Sequence, residues 1–175
     1  MLRSYVLVTL LLTLIVAAIP ASSQTPTNVY TFKGGTSDVG IPLPQGVIAQ
    51  GRDGNLYSAA EYGGANRAGG IFRVTPSGAE KLIYSFSSSD MFCSPGVNLG
   101  NDGNFYGGCE RGGDLGGGVL YKVTPGGTFT ILHSFSGADG AFPDSPPIQA
   151  TDRNFYGTTA GQRAVNQWDR LQTHA

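Results

Sequence analysis

Apolar residues follow two regimes along this chain. From Tyr5 to Ala18 they form a nearly unbroken run. Beyond Val29 they come in short stretches, each stopped by Gly, Pro, Asn or Asp. Val47–Gln50, Leu56–Glu61, Gly70–Thr75 and Lys81–Phe86 read as four consecutive strands. In the fourth, Leu82, Tyr84 and Phe86 alternate with Ile83 and Ser85, a period of two that places the first three on one face. Asp53-Gly54-Asn55 separates the first pair, and Gly and Asn accept the positive φ of a hairpin turn. Gly63 to Gly70 joins the second strand to the third, and Pro76-Ser77-Gly78 turns the third into the fourth. No stretch before residue 160 has a helical period.

The block repeats. Asp53-Gly54-Asn55-Leu56-Tyr57 returns as Asp102-Gly103-Asn104-Phe105-Tyr106, and again as Asp152-Arg153-Asn154-Phe155-Tyr156. Val74-Thr75-Pro76-Ser77-Gly78 returns as Val123-Thr124-Pro125-Gly126-Gly127, and Tyr84-Ser85-Phe86 as His133-Ser134-Phe135. Four antiparallel strands in about 50 residues make one blade of a β-propeller. The expected fold class is therefore all-β: antiparallel four-stranded repeats in a partial β-propeller-like array over residues 24–159. Complete repeats span about 47–86 and 96–135, and a partial one 146–159. Residues 29–32 match a fourth strand and read as an orphan. In place of the next Gly-Gly loop comes a divergent tail, 160–175, where Val165, Trp168 and Leu171 would line one face of a short helix. The tail reads either as a real cap or as an interruption, and the second is favoured because an array ordinarily ends at a unit boundary or a recognisable cap.

The long apolar run belongs to residues 1–23, which read as a secretory signal. Arg3 precedes it, and Ala21-Ser22-Ser23 supplies small residues for cleavage before Gln24. The run falls short of the roughly 18–20 residues that cross a bilayer, and no second one follows, so no membrane span is expected after cleavage. The expected location is extracellular, periplasmic or at the cell surface. Export makes Cys93 and Cys109 candidates for a disulfide, since they flank the hairpin turned by Asn101-Asp102-Gly103-Asn104. The alternative is two packed thiols, because the repeat partners Ala60 and Thr158 manage without sulfur.

Composition narrows the choice of partners. The formal net charge is −1 and 13% of residues are charged, which leaves no basic stripe for nucleic acid. Glycine, at 27 of 175, is about twice its usual share and is absorbed by the turns.

The set Asp-Gly-Asn-Leu/Phe-Tyr, Gly-Gly, Gly-Ile-Phe-Arg-Val-Thr-Pro-Ser-Gly and Leu-Ile-Tyr-Ser-Phe, over about Val29 to Thr159, resembles the GloVer tandem-repeat family of exported bacterial proteins. Gly118-Val119-Leu120-Tyr121-Lys122-Val123-Thr124-Pro125-Gly126-Gly127 is the clearest match. The resemblance implies a repetitive β fold and export. It implies no defined catalytic residues.

Candidate chemistry is sparse. His133 shares its repeat position with Tyr84 and Tyr30, so aromatic packing explains it better than catalysis. Glu61 and Glu110 are repeat equivalents; paired carboxylates can cleave glycosides, but exposed strand-end acids are the simpler reading. Asp53, Gly54, Asn55, Asp102, Gly103, Asn104, Asp152 and Asn154 are turn residues, with one acid each where a calcium loop wants several. Asp38, Asp90 and Asp139 are single acids in the loops between repeats, and Gly112 to Gly118 is a strand connection without a phosphate-loop Lys. No catalytic residue, cofactor or metal is expected. The leading expectation is an exported scaffold that binds a glycan or protein through its loops. The alternatives are a propeller hydrolase or lyase acting on glycans or lactones, and a repeat fragment without independent function. An unclosed array should also self-associate through its open edges.

Overall fold

The computed structural model describes residues 25–40, 46–87, 93 and 96–161, and the backbone of 165–168. The leader 1–23, its cleavage site, Asp90 and most of the tail lie outside the described residues. Three antiparallel sheets follow one another along the chain, and they stay open rather than closing into a ring. The first holds β1 (Ala49–Gln50), β2 (Leu56–Ala60), β3 (Gly70–Val74) and β4 (Glu80–Ser85), in that spatial order. The second repeats it with β5 (Asn98–Leu99), β6 (Phe105–Cys109), β7 (Val119–Val123) and β8 (Phe129–Ser134). The third contains β9 (Ala141–Pro143), β10 (Ile148–Gln149), β11 (Phe155–Gly161) and β12 (Val165–Trp168), ordered β10-β11-β12 with β9 on the far end of β11.

The tail departs from its sequence reading. Val165–Trp168 is a strand rather than a helix, and the array continues past 159. β12 pairs with β11 from Thr158↔Val165 to Phe155↔Trp168, the place β3 holds beside β2. Val165 and Trp168 fit a helical spacing, but the open edge of β11 offers a ladder for every backbone group, and that decides the matter. Residues 29–32, read as an orphan strand, lie in no ladder among the described residues.

A second departure concerns β4. Ile71 pairs with Tyr84 while Phe72 pairs with Leu82, so Ile83 is an extra, bulged residue. Leu132 is its equivalent in β8, between Leu120↔His133 and Tyr121↔Ile131. A bulge reverses the alternation beyond it. Leu82 therefore faces the Val39, Ala60, Phe72 and Val74 cluster, and Tyr84 faces the opposite core.

That core lies between the first two sheets. Tyr57, Ala59 and Ile71 of the first and Phe105, Cys109, Val119, Tyr121 and Val123 of the second are all fully buried there, together with Phe86. Tyr57 stacks on Phe105 at 4.1 Å, and Tyr106 meets Phe155 at 4.2 Å in the next junction. Polar contacts tie the innermost strands: the Arg52 guanidinium donates to the Asn101 carbonyl, and the Asn101 N–H donates to Gln149 at 2.7 Å. Asn98 donates to the carbonyls of Pro146 and Pro147.

Cys93 and Cys109 are disulfide-bonded, with an S–S distance of 2.08 Å. Cys93 stands opposite Cys109 at the end of β6, and Pro143 stands opposite Thr159 in the same place on β11. The repeat partner of Cys109 in the third sheet is thus Thr159, not Thr158. The Asp152 turn follows its predecessor by 50 residues rather than 49, and the shift carries through β11.

Candidate functional site

An antiparallel meander sends alternate connections to opposite ends of the sheet. The Asp turns and the Pro-Gly turns share one end. The glycine-rich connections 61–69 and 110–118, and the segments that lead from one sheet to the next, share the other.

At the turn end each acid is consumed locally. Asp53 accepts the Asn55 N–H at 3.1 Å on one oxygen, and the Asn55 side chain and the Tyr57 hydroxyl, both at 2.7 Å, on the other. Asp102 does the same with Asn104 and Tyr106, and Asp152 with Asn154 and Tyr156. Hydrogen bonds to a carboxylate favour its charged form. The tyrosine bond is the main reason that Asp53 and Asp152 stay below the usual carboxylate range. At Asp102 burial opposes this and is outweighed by the bonds from Asn104 and Tyr106. The tyrosines complete the turn. They escaped the sequence reading, although Tyr recurs four residues after every turn Asp. Gly54 and Gly103 take positive φ of 79° and 83°, and Arg153 is held at 72° in the same place.

The loop acids have partners too. Asp139 accepts the N–H and hydroxyl of Ser136 and contacts the His133 ring nitrogen Nε2 at 2.8 Å. The Ser136 bonds, with that of His133, hold its carboxyl down to about 2. His133 also sets its ring edge-on to Phe135 at 4.7 Å. Ser136 bonds the carboxylate and not the imidazole, so the three do not form a nucleophile relay. Asp38 repeats the motif with the Tyr30 hydroxyl at 3.0 Å and the Lys33 N–H at 2.8 Å. The recurrence of Asp38 and Asp139 thus marks a clasp between the outer-strand aromatic or imidazole and the loop after it.

At the connection end the backbone is braced and the side chains point outward. The Phe86 N–H donates to the Gly69 carbonyl, and the Phe135 N–H to that of Gly118. Asn66 donates to the Phe86 carbonyl at 3.1 Å. Upon this frame Glu61 and Glu110 are half-buried, and Tyr62 and Leu115 are 53% and 63% exposed. Burial first, and then the charge of Glu110 in the next sheet, push the Glu61 carboxyl up from its ordinary value. Arg111 stands 3.9 Å from Glu110. The influence of Glu110 on Glu61 acts between neighbouring sheets. A groove of about 450 Å³, lined by Tyr30, Phe32, Lys33 and Gly40 among others, opens beside the N-terminal segment. Among the described residues no three His, Cys, Asp or Glu gather as a metal cluster would require.

No curated protein matches this sequence. In three dimensions the chain is similar to the X-ray structure of a candidate gluconolactonase, a propeller-like protein, with a TM-score of 0.51 and 18% identity. The likeness covers 70% of this chain and 43% of that one, less than half of its length. At this identity the likeness speaks for the fold alone. Residues 16–167 match the Gloeobacter/Verrucomicrobia repeat. That span includes all three sheets but for the last residue of β12, and the chain belongs to the Gloeobacter/Verrucomicrobia repeat family.

Proposed function

We propose that the chain is exported and acts as a binding scaffold, with the connection end of its sheets as the contact surface for a glycan or protein. One observation carries this reading. The recurring acids at the turn end are held by their own turns, whereas Glu61 and its equivalent Glu110 stand at the other end on braced loops, beside positions that differ between repeats, Tyr62 against Arg111 and Asn66 against Leu115. Exposed residues on a rigid frame are the usual seat of recognition. An exposed tyrosine ring beside carboxylates offers a stacking face and acceptors for sugar hydroxyls. The Cys93–Cys109 disulfide suits an oxidising compartment.

The test is a glycan and protein-ligand screen of the exported protein beside Tyr62→Ala and Glu61→Gln. The reading expects a ligand whose affinity falls at least tenfold in Tyr62→Ala, while thermal melting is unchanged. Equal binding by all three proteins, or none by the native one, would reject it. Mass spectrometry of the exported chain should place its N-terminus near Gln24.

The second reading, a hydrolase or lyase on glycans or lactones, rests on the Glu61–Glu110 pair. Burial and then the charge of Glu110 raise the proton affinity of Glu61, as a general acid requires. A glycosidase and lactonase screen with Glu61→Gln and Glu110→Gln decides it, since both variants should abolish any turnover found.

A further inference from the structure

Two phenylalanine or tyrosine rings stand exposed among the described residues, Tyr62 at 53% and Phe142 at 38%, and both lie at the connection end. The other described rings of these types are buried or half-buried. Tyr62 rises from the first glycine-rich connection. Phe142 lies in β9, and its N–H donates to the Gly117 carbonyl of the second connection at 2.7 Å.

Phe142 holds a φ of 58°. For a bulky residue this is an outlier, and the residue before a proline is restricted further. Gly137 and Gly140, in the same segment, take positive φ of 91° and 107° without that cost. Position 142 thus carries a ring where the backbone favours glycine. Its neighbours hold it there. Ala141 and Pro143 are buried on either side. A Cβ on Gly118 would lie 2.6 Å from Pro143, and one on Gly161 would lie 2.8 Å from Ala141, so these glycines leave the room in which the segment is seated. Strained residues fixed by their surroundings cluster at ligand-binding positions.

Acids flank both rings. Glu61 precedes Tyr62, Asp144 follows Phe142 by two residues, and Asp114 stands exposed beside Leu115 on the second connection. The core of a protein–protein interface is depleted of charged residues, so a protein partner fits these rings poorly. A sugar fits them well: a ring stacks on the apolar face of a pyranose while the carboxylates accept its hydroxyls. The same carboxylates oppose an anionic glycan. Tyr62 belongs to the first sheet and Phe142 to the third. Packed sheets stand about 10 Å apart, so a ligand that reaches both rings is longer than one sugar.

We propose that Phe142 is a second contact residue of the connection end, and that the ligand is a neutral oligosaccharide stacked on Phe142 and Tyr62. This rests on the scaffold reading above and names its ligand.

The test is isothermal titration calorimetry of the exported protein with cellohexaose, laminarihexaose and mannohexaose, and with hexagalacturonate as the charged control. The native chain should bind at least one neutral chain and not the charged one. Phe142→Tyr keeps the ring and should bind within about threefold of native, whereas Phe142→Ala and Phe142→Gly should each lose roughly tenfold. Both remove the ring, but only glycine suits the backbone, so Phe142→Gly should melt about 2–4 °C above Phe142→Ala. Native-like binding by Phe142→Ala, or equal melting of the two variants, would overturn the proposal. NMR of the native chain gives an independent reading that needs no variant: the ring protons of Phe142 should shift when the bound hexaose is added, and unmoved ring protons would overturn it. Neutral-chain binding lost in Tyr62→Ala but kept in every Phe142 variant, or a native chain that binds only a protein or hexagalacturonate, overturns this proposal and leaves the scaffold reading standing. A native chain that binds nothing overturns both.

Discussion

Tyr57 stacks on Phe105 across the junction of the first two sheets, ring centroids 4.1 Å apart, while its hydroxyl donates to Asp53 at 2.7 Å. One side chain thus joins the turn that orders its own sheet to the packing that orders the next. Tyr106 repeats the arrangement with Phe155 and Asp102. Tyr57→Phe keeps the stack and removes the bond to the carboxylate. It should cost about 1–2 kcal/mol in urea unfolding, and Asp53, followed by NMR, should titrate at a higher pH than in the native chain.

Tyr121 is fully buried, and its hydroxyl has no hydrogen-bond partner among the described residues. Its repeat equivalent is Phe72. An unsatisfied buried hydroxyl costs free energy. Tyr121→Phe should therefore stabilise the protein by about 1 kcal/mol, read as a higher urea midpoint at constant slope.

Arg153 is held at a φ of 72° in the turn where its counterparts are Gly54 and Gly103. A side chain in the left-handed region is strained, by about 1 kcal/mol. Arg153→Gly should recover most of that in thermal melting. The Gln149 bond to the residue 153 carbonyl, 2.9 Å long, uses only backbone there and should survive.

Glu80 gives the fold a dependence on pH. Burial, and after it the charge of Asp38, push its carboxyl from 4.5 up to about 6. The folded chain therefore holds a proton that the unfolded chain has released. The resulting stability is complete below pH 4.5 and fades as pH rises through about 6. Melting temperature should fall across that window. Glu80→Gln should flatten the fall and melt higher than the native chain at pH 7.

The repeats, the strand positions and the turn chemistry were legible because Asp-Gly-Asn and Pro-Gly leave few backbone alternatives. The bulges were not. Ile83 and Leu132 are ordinary apolar residues, and only the pairing of Phe72 with Leu82, and of Tyr121 with Ile131, shows that each is extra. The strand character of Val165–Trp168 was hidden because its apolar spacing of three suits a helix, and pairing with the edge of β11 overrides it. At the candidate site, Glu61 and Glu110 could be matched as repeat equivalents. The influence of one on the other arises from how two sheets stack, which no local pattern encodes. Asp38 and Asp139 were visible as recurring acids, but their partners lie back along the chain, at Tyr30 and His133.

Equivalent aromatic pairs, Tyr57 on Phe105 and Tyr106 on Phe155, join each sheet to the next, and should couple the repeats into one cooperative array. A double-mutant cycle on Tyr57→Ala and Phe105→Ala tests it most directly, with unfolding followed by urea at constant protein concentration. The expected result is a single transition and a coupling energy of about 0.5–1.5 kcal/mol, the worth of a stacked pair beyond its buried area. Additive losses with no coupling, or two separate transitions in the native chain, would contradict it.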